Sequence, residues 1–165
     1  MTDQNALHPK MYVSYGHFMV FDLSEKLPGC DWTAGHFAQG FARRESTACI
    51  RALVESGHAD VRASTAAYAA KDEYVRVIAV PFAVESDGVM VEGPEEADTQ
   101  RTIKLPSGNY RLVVAQAMAG EDDEVIDLFF ERVSQPVPHS EVLLRDDELD
   151  PPVPLIEIAT VAGEN

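Results

Sequence analysis

Residues 11–23, Met11-Tyr12-Val13-Ser14-Tyr15-Gly16-His17-Phe18-Met19-Val20-Phe21-Asp22-Leu23, decide the fold class. Val13, Tyr15, Met19 and Phe21 fall on one face of an extended chain, and Phe18 and Val20 on the other. A strand that is apolar on both faces belongs in the middle of a sandwich, not on a sheet with one wet face. Pro28-Gly29 marks a loop after it, and Asp31 or Thr33 can cap a helix over about residues 34–43. Phe37 and Phe41 lie four apart on one stripe of that helix with Ala34 and Ala38, so the stripe is expected to face inward.

The rest alternates as strands separated by turn signals. Ala48, Ile50, Ala52 and Val54 alternate with Thr47, Cys49 and Arg51. Beyond Ser56-Gly57, Val61, Ala63 and Thr65 alternate with Asp60, Arg62 and Ser64, which reads as an antiparallel pair. Residues 66–72 are Ala-rich and ambiguous. A strand over 74–84 contains Pro81, which implies an edge or a bulge. Asp87-Gly88 predicts a type I′ hairpin returning through Val89. A second hairpin is expected between 101–105 and 110–118, and a further strand over 125–133. Strands recurring about every ten residues predict an all-β antiparallel sandwich with one short α-helix, and not a βαβ fold. The expected organisation is an N-terminal tail over 1–10, a sandwich over 11–133, and an acidic extension over 134–165 packed on the same domain.

Charge is the second informative property. The 165 residues carry a formal net charge of −15. Residues 1–77 are nearly balanced, whereas residues 78–165 hold 5 Lys and Arg against 19 Asp and Glu. Such acidity argues against direct nucleic-acid binding, which needs basic residues to neutralise phosphates. It favours a basic protein partner or a cation. No apolar run reaches the ~20 residues of a membrane helix, and the start lacks the pattern of a signal peptide, so a cytoplasmic protein without membrane insertion is expected. Cys30 and Cys49 are expected as buried free thiols.

Several blocks recur in a recognisable order: Ser14 to Phe21, Asp31-Trp32-Thr33, Gly40-Phe41-Ala42, Val80-Pro81-Phe82-Ala83-Val84, Asp87-Gly88-Val89 and Leu105 to Leu112. Across residues 11–133 the chain resembles the competence protein J family, inhibitors of the DNA-uptake nuclease of transformable bacteria. The resemblance implies a protein that blocks the catalytic cleft of a small nuclease through protein–protein contact. Asp31, Trp32, Phe41, Pro81 and Phe82 read as its structural motif. The extension over 134–165 has no counterpart in that pattern.

The chemistry agrees with a non-catalytic role. There is no nucleophile elbow, phosphate loop or HExxH, and the five histidines are scattered. His17 and His36 could approach across Trp32 with Asp31 as orienter, but Trp32 reads more simply as a plug at the end of the core. Phe37, Phe82, Phe129 and Phe130 also read as core. Burial does not explain the acidic runs. Glu92, Glu95 and Glu96 sit between two hairpins, with Asp98 just beyond. Glu121-Asp122-Asp123-Glu124 forms a loop whose following strand carries Asp127. Asp146, Asp147, Glu148 and Asp150 fill a loop of the extension. An extended chain advances about 3.3 Å per residue and a DNA strand carries a charge about every 3.4 Å, so such a loop can offer a nuclease a similar charge density. Glu121 to Glu124, helped by Asp127 or the 92–98 segment, are therefore the expected partner-binding residues, with no cofactor. The alternative is a small-ligand or Ca²⁺-binding sandwich module using the same carboxylates.

Overall fold

The computed structural model describes residues 5–7, 9–95 and 101–162. Two sheets pack face to face. The first runs β1 (Asn5–Ala6), β6 (Gly57–Ser64), β11 (Glu124–Val133), β10 (Gly108–Met118), β7 (Arg76–Val84) and β12 (Glu141–Leu144), with β2 (Met11–Val13) also pairing on β6. The second runs β4 (Phe41–Arg44), β5 (Thr47–Arg51), β3 (His17–Asp22), β8 (Gly88–Glu92) and β9 (Thr102–Lys104). Pairing is antiparallel except between β11 and β6. The all-β sandwich expected from the alternation is the fold, with one helix, α1 (Ala34–Gln39).

The core lies between the sheets, where Phe18, Val20, Phe41, Ile50, Ile78, Val80, Phe82, Leu112, Leu128 and Phe130 are all buried. Each sheet is also covered outside. Tyr74, Val77, Val113, Ala115 and Phe129 pack with Tyr68 under residues 65–75. Met19, Phe21, Cys30, Ala42, Cys49 and Ala159 cluster under Trp32 and the C-terminal segment. These second covers are why the strands read as apolar on both faces.

Several local expectations are corrected. The run over 11–23 is two strands in different sheets. Tyr15 (φ 55°) and Gly16 (φ 69°) take left-handed conformations, so the chain turns there and changes sheet. Its second half, β3, is the central strand of the second sheet. Helix α1 stops at Gln39 because Gly40 (φ 91°) caps it, its N–H bonding the His36 carbonyl. Phe41, Arg43 and Arg44 therefore belong to β4. The helix buries His36 and Gln39, while Phe37 is 54% exposed.

The three expected hairpins are sheet-to-sheet crossings. β5 and β6, β7 and β8, and β9 and β10 each divide between the two sheets. A turn signal reports reversal of the chain and not which sheet receives it. Gly88 is required by close approach, since a Cβ there would sit 2.6 Å from the Ile103 carbonyl oxygen. Pro81 meets expectation: β12 pairs with β7 only through Val77, Ile78 and Ala79, so Pro81 lies beyond the stretch of β7 that is paired on that side.

Candidate binding surface

Four loops converge at one end of the sandwich, and contacts between them fix the arrangement. The tip of the β10–β11 hairpin presents Glu121, Asp122 and Asp123 to solvent. It rests on the β5–β6 connection: the His58 amide donates to Asp123 Oδ1 at 3.2 Å and the Leu53 amide to Glu124 Oε2 at 2.6 Å. A Cβ on Gly57 would lie 1.8 Å from the Asp122 carbonyl oxygen, so only glycine admits this approach. The same connection touches the Tyr15-Gly16 turn, where the Gly16 amide donates to the Glu55 carbonyl at 2.9 Å.

Arg76 and Arg51 bring in the extension. Arg76 is fully buried, and its guanidinium makes two 2.9 Å bonds to the Asp146 carboxylate while donating to the Arg51 and Ala52 carbonyls. Arg51 donates to the Glu148 carboxylate at 3.2 Å and stacks on the Phe37 ring, 3.6 Å from its centroid. Exposed Glu148 therefore sits on Arg51, with exposed Asp147 and Asp150 on the same segment and exposed Glu55 on the β5–β6 connection. The Asp150 amide bonds the Ala38 carbonyl of the helix at 2.9 Å. Beside these carboxylates, Tyr15, Gly16, His17, Trp32, Phe37 and Arg51 line a shallow cavity of about 210 Å³. Tyr15, 72% exposed, and Phe37 put two aromatic rings on its rim.

Of the residues expected to meet a partner, the structure places Glu121, Asp122 and Asp123 together and exposed. Glu92 pairs with Met19 on β3, two residues from His17, so β8 runs toward the His17 end of that strand. Glu96 and Asp98 lie outside the described residues. Glu124 and Asp127 do not face outward. Glu124 is 1% exposed, and burial pushes its carboxyl up to about 7 against the opposing Leu53 amide. Its Oε1 has no hydrogen-bond partner. Asp127 is buried on the outer face of the first sheet, accepting from Arg62 at 2.6 Å and from the Tyr74 hydroxyl at 2.5 Å. Both hold strands to neighbouring segments.

Of the motif residues, Phe41 and Phe82 are core, and Asp31 accepts from the Thr160 hydroxyl at 3.0 Å. Trp32 partly covers the Met19, Phe21 and Cys49 cluster. His36 is committed to the helix cap, where its Nδ1 accepts from the Thr33 amide at 3.1 Å, and burial lowers its pKa. His17 lies 5.8 Å from Trp32, ring to ring. Among the described residues, no three His, Cys, Asp or Glu side chains converge to hold a metal ion. No helix there is long and apolar enough to cross a membrane. Sequence reasoning missed Tyr15, Phe37 and Glu55 as surface residues; only the adjacent Gly16 hinted that Tyr15 leaves its strand.

The fold defines a two-sheet β-sandwich whose loops carry most of its exposed acids among the described residues. The chain belongs to the competence protein J (ComJ) family, whose model matches residues 10–134. Among solved structures it is similar to ComJ from Bacillus subtilis, described as an inhibitor of the DNA-degrading activity of NucA. That match has 20% identity and a TM-score of 0.68, covering 79% of this chain and 98% of the other. A second similar structure is the product of crocagin biosynthetic gene J, at 14% identity and a TM-score of 0.53, covering 78% and 99%. At these identities the structural likeness carries the fold. No curated protein sequence matches the chain. Asp146 to Asp150 lie beyond the family match.

Proposed function

We propose that this protein inhibits a nuclease by binding it directly, without catalysis of its own, and that the acidic loop end covers the cationic cleft of the enzyme. Family membership supports the inhibitor role. One observation supports the mechanism: the exposed carboxylates Glu55, Glu121 to Asp123 and Glu148 lie on segments that the Tyr15-Gly16 turn, the β5–β6 connection and Arg51 hold to one another. A nuclease cleft holds basic residues for phosphates and usually a metal ion, so a fixed array of carboxylates competes with DNA there. Such complementarity acts chiefly on the rate of encounter. The aromatic rim supplies contact area that desolvates on docking, in the manner of interface anchors. We place the complex in the cytosol, where buried free thiols such as Cys30 and Cys49 persist.

The test is titration of the purified protein into a non-specific nuclease of the same organism, with DNA cleavage followed at low and high salt. Stoichiometric inhibition that weakens with salt is expected. Undiminished cleavage at a molar excess of this protein would contradict the proposal.

A further inference from the structure

Cys30 and Cys49 are the two cysteines of the chain, and the fold brings them together from separate elements. Cys49 lies on β5, and Cys30 ends the loop that leaves β3, bridging Val161 in the C-terminal segment. Both thiols are free and buried in one small cluster on the outer face of the second sheet. Cys49 Sγ also lies 3.9 Å from the Pro28 carbonyl oxygen, so both sulfurs sit against the same stretch of loop.

Arg44 distinguishes this pair from two inert core cysteines. Its Nη2 donates to the Leu27 and Gly29 carbonyls, which fixes the loop immediately before Cys30. Its Nε is buried with no hydrogen-bond partner, and the guanidinium lies against the Cys30 thiol. The guanidinium already has a counter-charge in the Glu25 carboxylate, 3.5 Å from its Nη1. The Cys49 side chain and, next to it, Arg44 lower the Cys30 pKa, whereas that of Cys49 is raised. Cys30 adjoins the exposed loop and Cys49 lies on β5 behind it, so an oxidant arriving through the loop meets Cys30 first. Residues 23–29 in front of Cys30 are exposed or half-buried, so a small oxidant needs to cross only this loop.

We propose that Cys30 and Cys49 form a peroxide-responsive thiol pair in which Cys30 attacks and Cys49 resolves. The Cys30 thiolate attacks one oxygen of hydrogen peroxide and the O–O bond breaks. Cys30 becomes a sulfenic acid, and the departing hydroxide takes a proton to leave as water. The Cys49 sulfur then attacks the Cys30 sulfur; the S–S bond forms, the S–O bond breaks, and a second water leaves with the Cys49 proton. Peroxide is reduced by two electrons and the two thiols are oxidised to one disulfide. The bond would tie the loop before Asp31 and Trp32 to the middle of β5.

The test treats the reduced full-length protein with hydrogen peroxide, blocks remaining thiols, and maps peptides without reduction, which separates thiol from methionine oxidation. A Cys30–Cys49 linked peptide lighter by two hydrogens is expected, reversible by a dithiol reductant. In Cys49→Ser, dimedone should label Cys30; in Cys30→Ser, Cys49 should stay unmodified. Linked peptides only between chains, or wild-type Cys30 accumulating as sulfenic or sulfinic acid without the internal link, would overturn the proposal. So would both thiols surviving unchanged.

Discussion

Replacing Glu124 by Gln should stabilise this protein at neutral and alkaline pH. Glu124 is buried at the base of the acidic hairpin, with one oxygen bonded to the Leu53 amide and the other without a partner. Burial raises its carboxyl from 4.5 to about 7. Below pH 4.5 the group is protonated in both folded and unfolded chains and does not affect their balance. Between 4.5 and 7 the unfolded chain releases its proton while the folded chain retains it, so stability falls as pH rises; above 7 the deficit is constant. At 1.36 kcal/mol per unit, that deficit is roughly 3 kcal/mol. Gln keeps an oxygen for the Leu53 amide and removes the ionisation. Glu124→Gln should therefore match the wild type at pH 4 and exceed it by about 3 kcal/mol at pH 8, roughly 10 °C in Tm for a chain of this size. Urea unfolding of both proteins across this range measures the difference, and groups other than Glu124 cancel in the subtraction. Parallel pH profiles, or a variant less stable at pH 8, would refute the reasoning.

Three further substitutions probe the supports of the same end. Gly57→Ala forces a Cβ against the Asp122 carbonyl oxygen and should cost about 2 kcal/mol, with faster amide exchange at His58, read by urea midpoint and hydrogen exchange. Arg76→Met strands half-buried Asp146 and two carbonyls and should cost about 3 kcal/mol by the same midpoint, much of it recovered in Arg76→Met/Asp146→Leu. Tyr15→Ala combined with Phe37→Ala should change stability by less than about 1 kcal/mol, because both rings are exposed. The same pair should weaken nuclease inhibition by about tenfold or more in a cleavage titration.

The sandwich was legible because strand-period alternation and turn signals survive without knowledge of pairing. The pairing was not legible. β6 lies parallel to β11, about sixty residues away, and nothing local in Gly57–Ser64 distinguishes that partner from β5. The helix was overextended because Phe37 and Phe41 share a helical stripe, yet Gly40 ends the helix between them and sends one ring to solvent and the other to the core. Within the acidic runs, sequence alone could not separate Glu121, Asp122 and Asp123 from Glu124. A strand begins at Glu124, and its first residue turns inward toward Leu53. The docking of the acidic 146–150 segment depends on Arg76 and Arg51, whose partners are set by the fold.

The measurement that tests the central claim most directly is the association rate with the nuclease. It would compare the wild type with Glu121→Gln/Asp122→Asn/Asp123→Asn across a salt series. These three side chains are exposed, and Asn at position 123 keeps an oxygen for the His58 amide, so the variant keeps the fold. The account predicts association slower by about tenfold or more at low salt, converging with the wild type as salt screens the field. Equal rates at every salt concentration would contradict it.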